Sequence, residues 1–275
     1  TKKNHLYIHI PFCATVCTFC HCHHEELKNH QKLSQYVDFV IKQINEFSTA
    51  FDKRAFGSFT ILGGTASLLS AAEIKVLYSA VIDKFHFSSN AIFSFEGHPS
   101  SMSNDKLDVL RESGVTRIHL GVQSLDEAVL KKINRFQSKA VVQRCIKNIK
   151  KRGFSSINVD LVPGLPGQTT AIFLNDIKTL IKWGVDFFNI NPFSDITSVT
   201  CFNKDSVTLQ EVLSRRNDMI HQGKMMLESH DYVNNWQRGY MLKGDGVAKS
   251  DAEIFPGGVL GLGLLPFAAM AEEVA

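Results

Sequence analysis

Leu6-Tyr7-Ile8-His9-Ile10-Pro11-Phe12-Cys13-Ala14-Thr15-Val16-Cys17-Thr18-Phe19-Cys20 is a short apolar run, stopped by a proline, that leads directly into three cysteines at C-x-x-x-C-x-x-C spacing. Three of the chain's six cysteines fall within these eight residues from Cys13 to Cys20. Thiolates are soft ligands for iron–sulfur clusters or zinc, and a loop this tight can wrap three of them round one small object. An iron–sulfur cube held by cysteine alone takes four thiolates, so three leave one iron open to a small molecule. The spacing thus points to a catalytic cluster ahead of a closed structural one. The competing reading is a zinc site on Cys13, Cys17 and Cys20 with Cys22, His21, His23 or His24. Closed zinc sites usually pair two ligand dyads across a longer spacer, and no second dyad follows here. The chain is also too long and too cysteine-poor for a disulfide scaffold.

Composition sets the frame and names no activity. With 275 residues, 44% hydrophobic and 21% charged, the chain suits one barrel-sized domain with a substantial core. A net charge of +3 from 30 basic and 27 acidic residues argues against a nucleic-acid surface. The basic run Lys147 to Arg152 precedes Gly153 and reads as a helix C-terminus complementing its dipole. Reduced cysteines without a targeting segment predict a cytoplasmic protein, or one in a reducing organelle after processing. The only long uncharged run, Phe255 to Ala271, is too rich in glycine and proline for a membrane helix and reads as a buried strand with tight turns.

Outward from the cysteine loop, strand and helix alternate. Strands are expected at Leu6 to Ile10, Ser58 to Leu62, Ala91 to Phe95, Arg117 to Leu120, Ile157 to Val162 and Asp186 to Ile190. Between them, helical spacing runs over Leu33 to Phe47, Ala71 to Phe85, Asp105 to Arg111, Asp126 to Ile133, Ala140 to Lys151 and Ile172 to Trp183. Such alternation with short joins is the pattern of parallel βαβ units, in either an open doubly wound sheet or a TIM-type barrel or partial barrel. Both architectures put ligand chemistry at the C-terminal strand ends, where Gly63-Gly64-Thr65, Glu96, Gln123, Asp160 and Pro192 all fall. Leu209 to Ser229 reads as one long helix, and Tyr232 to Lys249 has no clear period.

The glycine turn lets a ligand approach the backbone, with Thr65 adding a hydroxyl. Glu96 and Asp160 can accept hydrogen bonds from an amine or a ribose diol, and Arg135 can meet an anion. Beside an open cluster, this set suits a ligand bearing an ammonium, a carboxylate and sugar hydroxyls.

The sequence from Tyr7 to about Phe193 resembles the radical S-adenosylmethionine (SAM) superfamily. The carriers are Tyr7-Ile8-His9-Ile10-Pro11-Phe12 leading into the cysteines, the Gly-Gly-Thr turn, Leu120-Gly121-Val122-Gln123-Ser124, and Asp160-Leu161-Val162-Pro163-Gly164-Leu165-Pro166-Gly167-Gln168. Within it the chain looks like the branch of oxygen-independent coproporphyrinogen III oxidase (HemN), the haem chaperone HemW and HemN-like radical methyltransferases. The resemblance implies an α/β fold, a partial (β/α)6 TIM-like barrel over 1–195, with a C-terminal helix and short irregular, glycine-rich extension over 196–275 packing on it. It implies a [4Fe–4S] cluster on Cys13, Cys17 and Cys20, with Cys22 outside the ligand set. Tyr7, Phe19, Gly63, Gly64, Thr65, Glu96, Gln123, Arg135 and Asp160 would contact SAM. Reductive cleavage of SAM would give methionine and a 5′-deoxyadenosyl radical that takes a hydrogen from a small-molecule substrate of the tetrapyrrole class. The electron would come from a donor such as flavodoxin or ferredoxin, with no nucleic acid or membrane involved. Oxidative decarboxylation of coproporphyrinogen III leads, with radical methyl transfer and haem delivery through His21, His23 and His24 as alternatives. The chain departs from the family pattern at Leu62, often glycine, at Ala66, often proline, and at His21 beside the cluster.

Overall fold

The computed structural model describes residues 4–20, 22–52, 54–192, 209–236, 239–243 and 259–262. His21, most of the 255–271 run and the segment 244–249 lie outside these residues. In chain order the elements are β1 (Asn4–Ile10), β2 (Phe12–Cys13), β3 (Glu25–Glu26), α1 (His30–Ser48), β4 (Ala55–Gly63), α2 (Ala71–Lys84), β5 (His86–Gly97), α3 (Asn104–Glu112) and β6 (Arg117–Gln123). There follow α4 (Glu127–Lys132), α5 (Lys139–Lys151), β7 (Ser156–Leu161), α6 (Thr170–Lys182), β8 (Phe187–Ile190), α7 (Leu209–Ser229), β9 (Tyr232–Trp236), β10 (Gly239–Leu242) and β11 (Val259–Leu262).

The helices begin where short polar side chains satisfy their free N–H groups. Asn29 accepts from the Gln31 N–H at 2.9 Å, and Asp126, Ser138 and Thr169 do the same for α4, α5 and α6. At α2 the cap is reciprocal, with Ser70 Oγ accepting from Glu73 N–H while Glu73 accepts from Ser70 N–H. Each such cap contributes about 1 kcal/mol.

The strands β1, β4, β5, β6, β7 and β8 lie side by side in sequence order and all run parallel, which requires helical crossovers between them. The sheet has nine strands in the order β11-β1-β4-β5-β6-β7-β8-β10-β9, and among the described residues its two edges do not pair with each other. The α/β partial barrel expected from the sequence is therefore present. Where Tyr232 to Lys249 shows no period, the structure adds a hairpin: β9 pairs antiparallel with β10, and β10 with β8. At the other edge β11 pairs parallel with β1. The long α7 lies against α6, close enough that a Cβ on Gly223 would stand 2.8 Å from the Phe173 ring.

Register explains how the sheet divides its two faces. His5, Tyr7 and His9 of β1 stand opposite Ser58, Thr60 and Leu62 of β4, and Thr60 opposite Ser94 of β5. Ser94 meets Arg117, Glu96 meets His119, and His119 meets Asn158. The intervening residues Leu6, Ile8, Ile10, Phe59, Ile61, Phe95, Ile118 and Leu120 are fully buried in the apolar core under the helices. Successive side chains on a strand point to opposite faces, so one face is apolar and the other carries nearly all the polar groups.

Candidate active site

The cysteine loop is held at both ends. At its base β2 and β3 form a short parallel ladder, reinforced by Glu25 N–H to Pro11 C=O at 2.6 Å and Leu27 N–H to Cys13 C=O at 2.8 Å. On its far side it docks on the turn after α4. Thr18 N–H donates to Ile133 C=O at 3.1 Å, and the Asn134 amide donates to Val16 C=O at 2.9 Å. Asn134 adopts φ of 56°, a left-handed conformation that asparagine tolerates.

The loop forms one wall of a cavity of about 580 Å³ over the C-terminal ends of the strands. Cys13, Cys17, Cys20 and Phe19 line it, with Gly63, Gly64, Thr65, Glu96, Gln123, Arg135 and Asp160 on the other walls. Every residue expected to hold the cluster or SAM lines this cavity except Tyr7. The Tyr7 hydroxyl bonds His9 Nδ1, while His9 Nε2 donates to His23 C=O at 2.9 Å, and burial, then the nearby Glu96 and Cys22, raise the Tyr7 pKa. Asn134, His98, Ser101, Leu68 and the exposed Phe136 also line the cavity and were not singled out from the sequence. For Asn134 the usable signal was its place next to Arg135.

The glycine turn fits its position by having no side chains. Gly63 has φ of 135°, and a Cβ there would come 2.7 Å from Ile10 C=O. A Cβ on Gly64 would stand 2.9 Å from Cys13 Sγ. Gly64 N–H donates to Ile10 C=O at 2.8 Å, tying β4 to β1 at the cysteine loop.

The electrostatics of the cavity are unbalanced in a useful way. Burial, then Asp160, then Cys22 push the Glu96 carboxyl up to about 8, so it lies largely protonated at neutral pH. Burial raises the Cys13 thiol, while Thr65 Oγ1 at 3.6 Å pulls it back. Cys22 donates to Cys20, which lowers Cys20 and raises Cys22. Arg135 Nη1 reaches Cys17 Sγ at 3.8 Å and Nη2 donates to Gly121 C=O, but its buried Nε finds no hydrogen-bond partner among the described residues. His98 is driven down to about 3 by burial and by Arg135, and its Nδ1 accepts from Ser100 N–H, so the neutral ring carries its proton on Nε2. Among the described residues no three His, Cys, Asp or Glu side chains converge on a single metal ion. The three thiols instead all line the wall of the cavity.

Gln123 closes β6 in an unusual way. Its φ is 67°, and Ser124 N–H donates to Val122 C=O at 2.8 Å, which together form a γ-turn of the rarer, positive-φ type. The register with β7 shifts at this point, so that Gly121 opposes Asp160 and Gln123 opposes Leu161. Strained backbone of this kind persists only where surrounding contacts impose it.

Comparison with known proteins places these features. Residues 7–191 match the family model of the radical SAM superfamily. Oxygen-independent coproporphyrinogen III oxidase from Salmonella typhimurium is 29% identical over 250 residues, covering 90% of this chain and 53% of that protein. Heme chaperone HemW from Lactococcus lactis is 33% identical over 181 residues, covering 66% of this chain and 46% of that one. The structure of coproporphyrinogen III oxidase (HemN) from Escherichia coli superposes with a TM-score of 0.81 at 26% identity, over 89% of this chain and 57% of that one. The chain thus spans about half the length of the curated relatives it matches.

Proposed function

Because the chain belongs to the radical SAM superfamily, we propose that it is a HemN-type radical SAM oxidoreductase, holding a [4Fe–4S] cluster on Cys13, Cys17 and Cys20 and SAM beside it, and acting on a tetrapyrrole. The observation that supports this most is convergence. Three thiols from one loop share a cavity with Glu96, Gln123, Arg135 and Asp160, which come from separate segments of the fold. The residues fit the two groups, since Gly64 leaves room beside Cys13 Sγ and the buried Nε of Arg135 is a donor awaiting an acceptor. When bound, the cluster and SAM supply reductive cleavage of the sulfonium and removal of a hydrogen atom from the substrate.

The chain's own residues bind, orient and shield. Thr65 donates to Cys13 Sγ and favours its thiolate form, and Arg135 Nη1 donates to Cys17 Sγ. Glu96 and Asp160 offer two acceptors to a cationic, hydroxylated ligand, and Arg135 offers a donor to its carboxylate. The Gly63–Gly64 backbone lets that ligand approach the cysteine loop, and Phe19 covers it with apolar surface. Tyr7 belongs to the same proposal through its nearness to Glu96, whose charge it feels. The division at residue 195, with 1–195 holding both groups and 196–275 packing on the core as an extension, is part of it too, as is a one-electron donor of flavodoxin or ferredoxin class.

The names of the relatives support a tetrapyrrole. The test is anaerobic incubation of the reconstituted protein with SAM, reductant and coproporphyrinogen III, followed by mass spectrometry. Decarboxylated porphyrinogen with 5′-deoxyadenosine is expected. A methylated product with S-adenosylhomocysteine would replace decarboxylation by methyl transfer, and stoichiometric haem binding without SAM cleavage would replace the enzyme by a haem carrier.

A further inference from the structure

We infer that Asp176, acting through Ser124, is a positioning residue that holds Gln123 in its γ-turn and so presents its side chain to the cavity; this rests on the reading of the cavity as a SAM site. Asp176 lies on α6, on the helix side of the sheet, and is 2% exposed. It does not line the cavity. Its Oδ2 accepts from the fully buried Ser124 hydroxyl at 2.6 Å, and its carboxylate also accepts from Leu125 N–H. Ser124 Oγ in turn accepts from Asp126 N–H at 3.1 Å. The residue after the strained one is therefore pinned through both its side chain and its following peptides.

Three other bonds fix the turn from different directions. Gln137 Nε2 donates to Val122 C=O at 2.6 Å, Val162 N–H donates to Gln123 C=O at 3.1 Å, and Ser124 N–H closes the γ-turn itself. The consequence is visible at Gly121. A Cβ there would come 3.2 Å from Gln123 Nε2 and 3.4 Å from Arg135 Nη2. The Gln123 amide thus folds back over a bare backbone position beside Arg135, among the cavity-lining groups. Gln123 and Gly121 lie on the same, cavity-facing side of β6, and the γ-turn at φ 67° sets the direction the glutamine side chain takes within that side. Of the bonds that impose the turn, only the Asp176–Ser124 pair is a side-chain contact from a separate helix, and a buried carboxylate with so few partners is otherwise unfavourable.

The test compares Asp176→Ala, Asp176→Asn and Ser124→Ala in wild-type and Gln123→Ala backgrounds, using equilibrium binding of SAM to the cluster-reconstituted protein and amide hydrogen exchange of the protein before reconstitution. Asp176→Ala should weaken SAM binding about tenfold, the worth of one well-placed hydrogen bond, and deprotect the Ser124 amide. Asp176→Asn keeps an acceptor and should restore both. In the Gln123→Ala background Asp176→Ala should weaken binding less than twofold, since coupled sites are not additive. Ser124→Ala should repeat the Asp176→Ala result, and it serves as the second variant if the latter does not fold. An unchanged Ser124 amide in both variants, or an equal loss of affinity in both backgrounds, would overturn the inference. If wild-type protein does not bind SAM, the cavity reading fails, whereas amide exchange still decides whether Asp176 holds the turn.

Discussion

The two faces of the same parallel sheet have divided the work between them. Toward the helices, Leu6, Ile8, Ile10, Phe59, Ile61 and Ile118 are fully buried among other apolar side chains. Toward the inside, His5, His9, Ser58, Thr60, Ser94, Arg117, Ser156 and Asn158 are also buried and are all polar. Side-chain partners recur among them: His5 Nδ1 lies 2.7 Å from Ser58 Oγ, and Ser156 Oγ donates to Asn158 at 2.6 Å. An apolar face stabilises by area removed from water. A polar face, once its hydrogen bonds are satisfied, contributes little net stability but fixes positions closely. At the C-terminal strand ends that second face opens into the cavity, so the polar interior is the support on which the site stands. Stability and chemistry can therefore be damaged separately.

The sharpest separation is expected at the cysteine loop. Cys17→Ala should abolish SAM cleavage, a loss of at least about 10³-fold on the scale of a missing catalytic group, while thermal unfolding of the unreconstituted protein moves little. Paired activity and calorimetry measurements check this. On the other face, Ile8→Ala should cost about 2–5 kcal/mol of stability by leaving a cavity in the core, without changing SAM affinity in the protein that remains folded. Urea titration beside equilibrium binding distinguishes the two effects, and an equal loss of both would erase the proposed division.

Two smaller effects follow from pH. Glu96 is held at about 8 before a ligand arrives. A cationic ligand favours its ionised form, so binding releases a proton, and affinity should rise by up to about tenfold per unit between pH 6 and 8 before levelling. Binding isotherms across that range should lose this slope in Glu96→Gln. Asp176, raised by burial to about 6, works on stability instead. Well below pH 4 it is protonated in both folded and unfolded chains. As pH rises toward 6 the unfolded chain releases its proton first, so stability falls and then stays lower. Asp176→Asn should flatten that slope and add about 2–3 kcal/mol at pH 7, read from urea midpoints at pH 4 and 7.

The order of strands and helices could be read from the residues before any coordinates, but the two faces could not. The run Leu6 to Ile10 marks a strand, and helical spacing from Ala71, Ala140 and Ile172 marks helices that begin at Ala71, Lys139 and Thr170, whereas the polar face of His5, Tyr7 and His9 emerges only from the register with β4. Boundaries differ where pairing outlasts the apolar pattern: β5 runs from His86 to Gly97, beyond the expected Ala91 to Phe95, because neighbouring strands supply hydrogen bonds to its polar ends. The β9–β10 hairpin escaped because its pairing with β8 is a tertiary event with little local signature. At the site, residue type found the thiols, carboxylates and glycines. It did not find His98 or Asn134, whose roles depend on where a loop docks, nor the γ-turn, since glutamine is no marker of positive φ.

The central claim is that the three thiols of this loop hold an iron–sulfur cluster whose open iron meets SAM. Anaerobic reconstitution with iron and sulfide, followed by reduction in the presence of SAM, tests it most directly. Four irons and four sulfides per chain, with methionine and 5′-deoxyadenosine formed only after reduction, are expected. A single zinc per chain, or a cluster that leaves SAM intact, would contradict it.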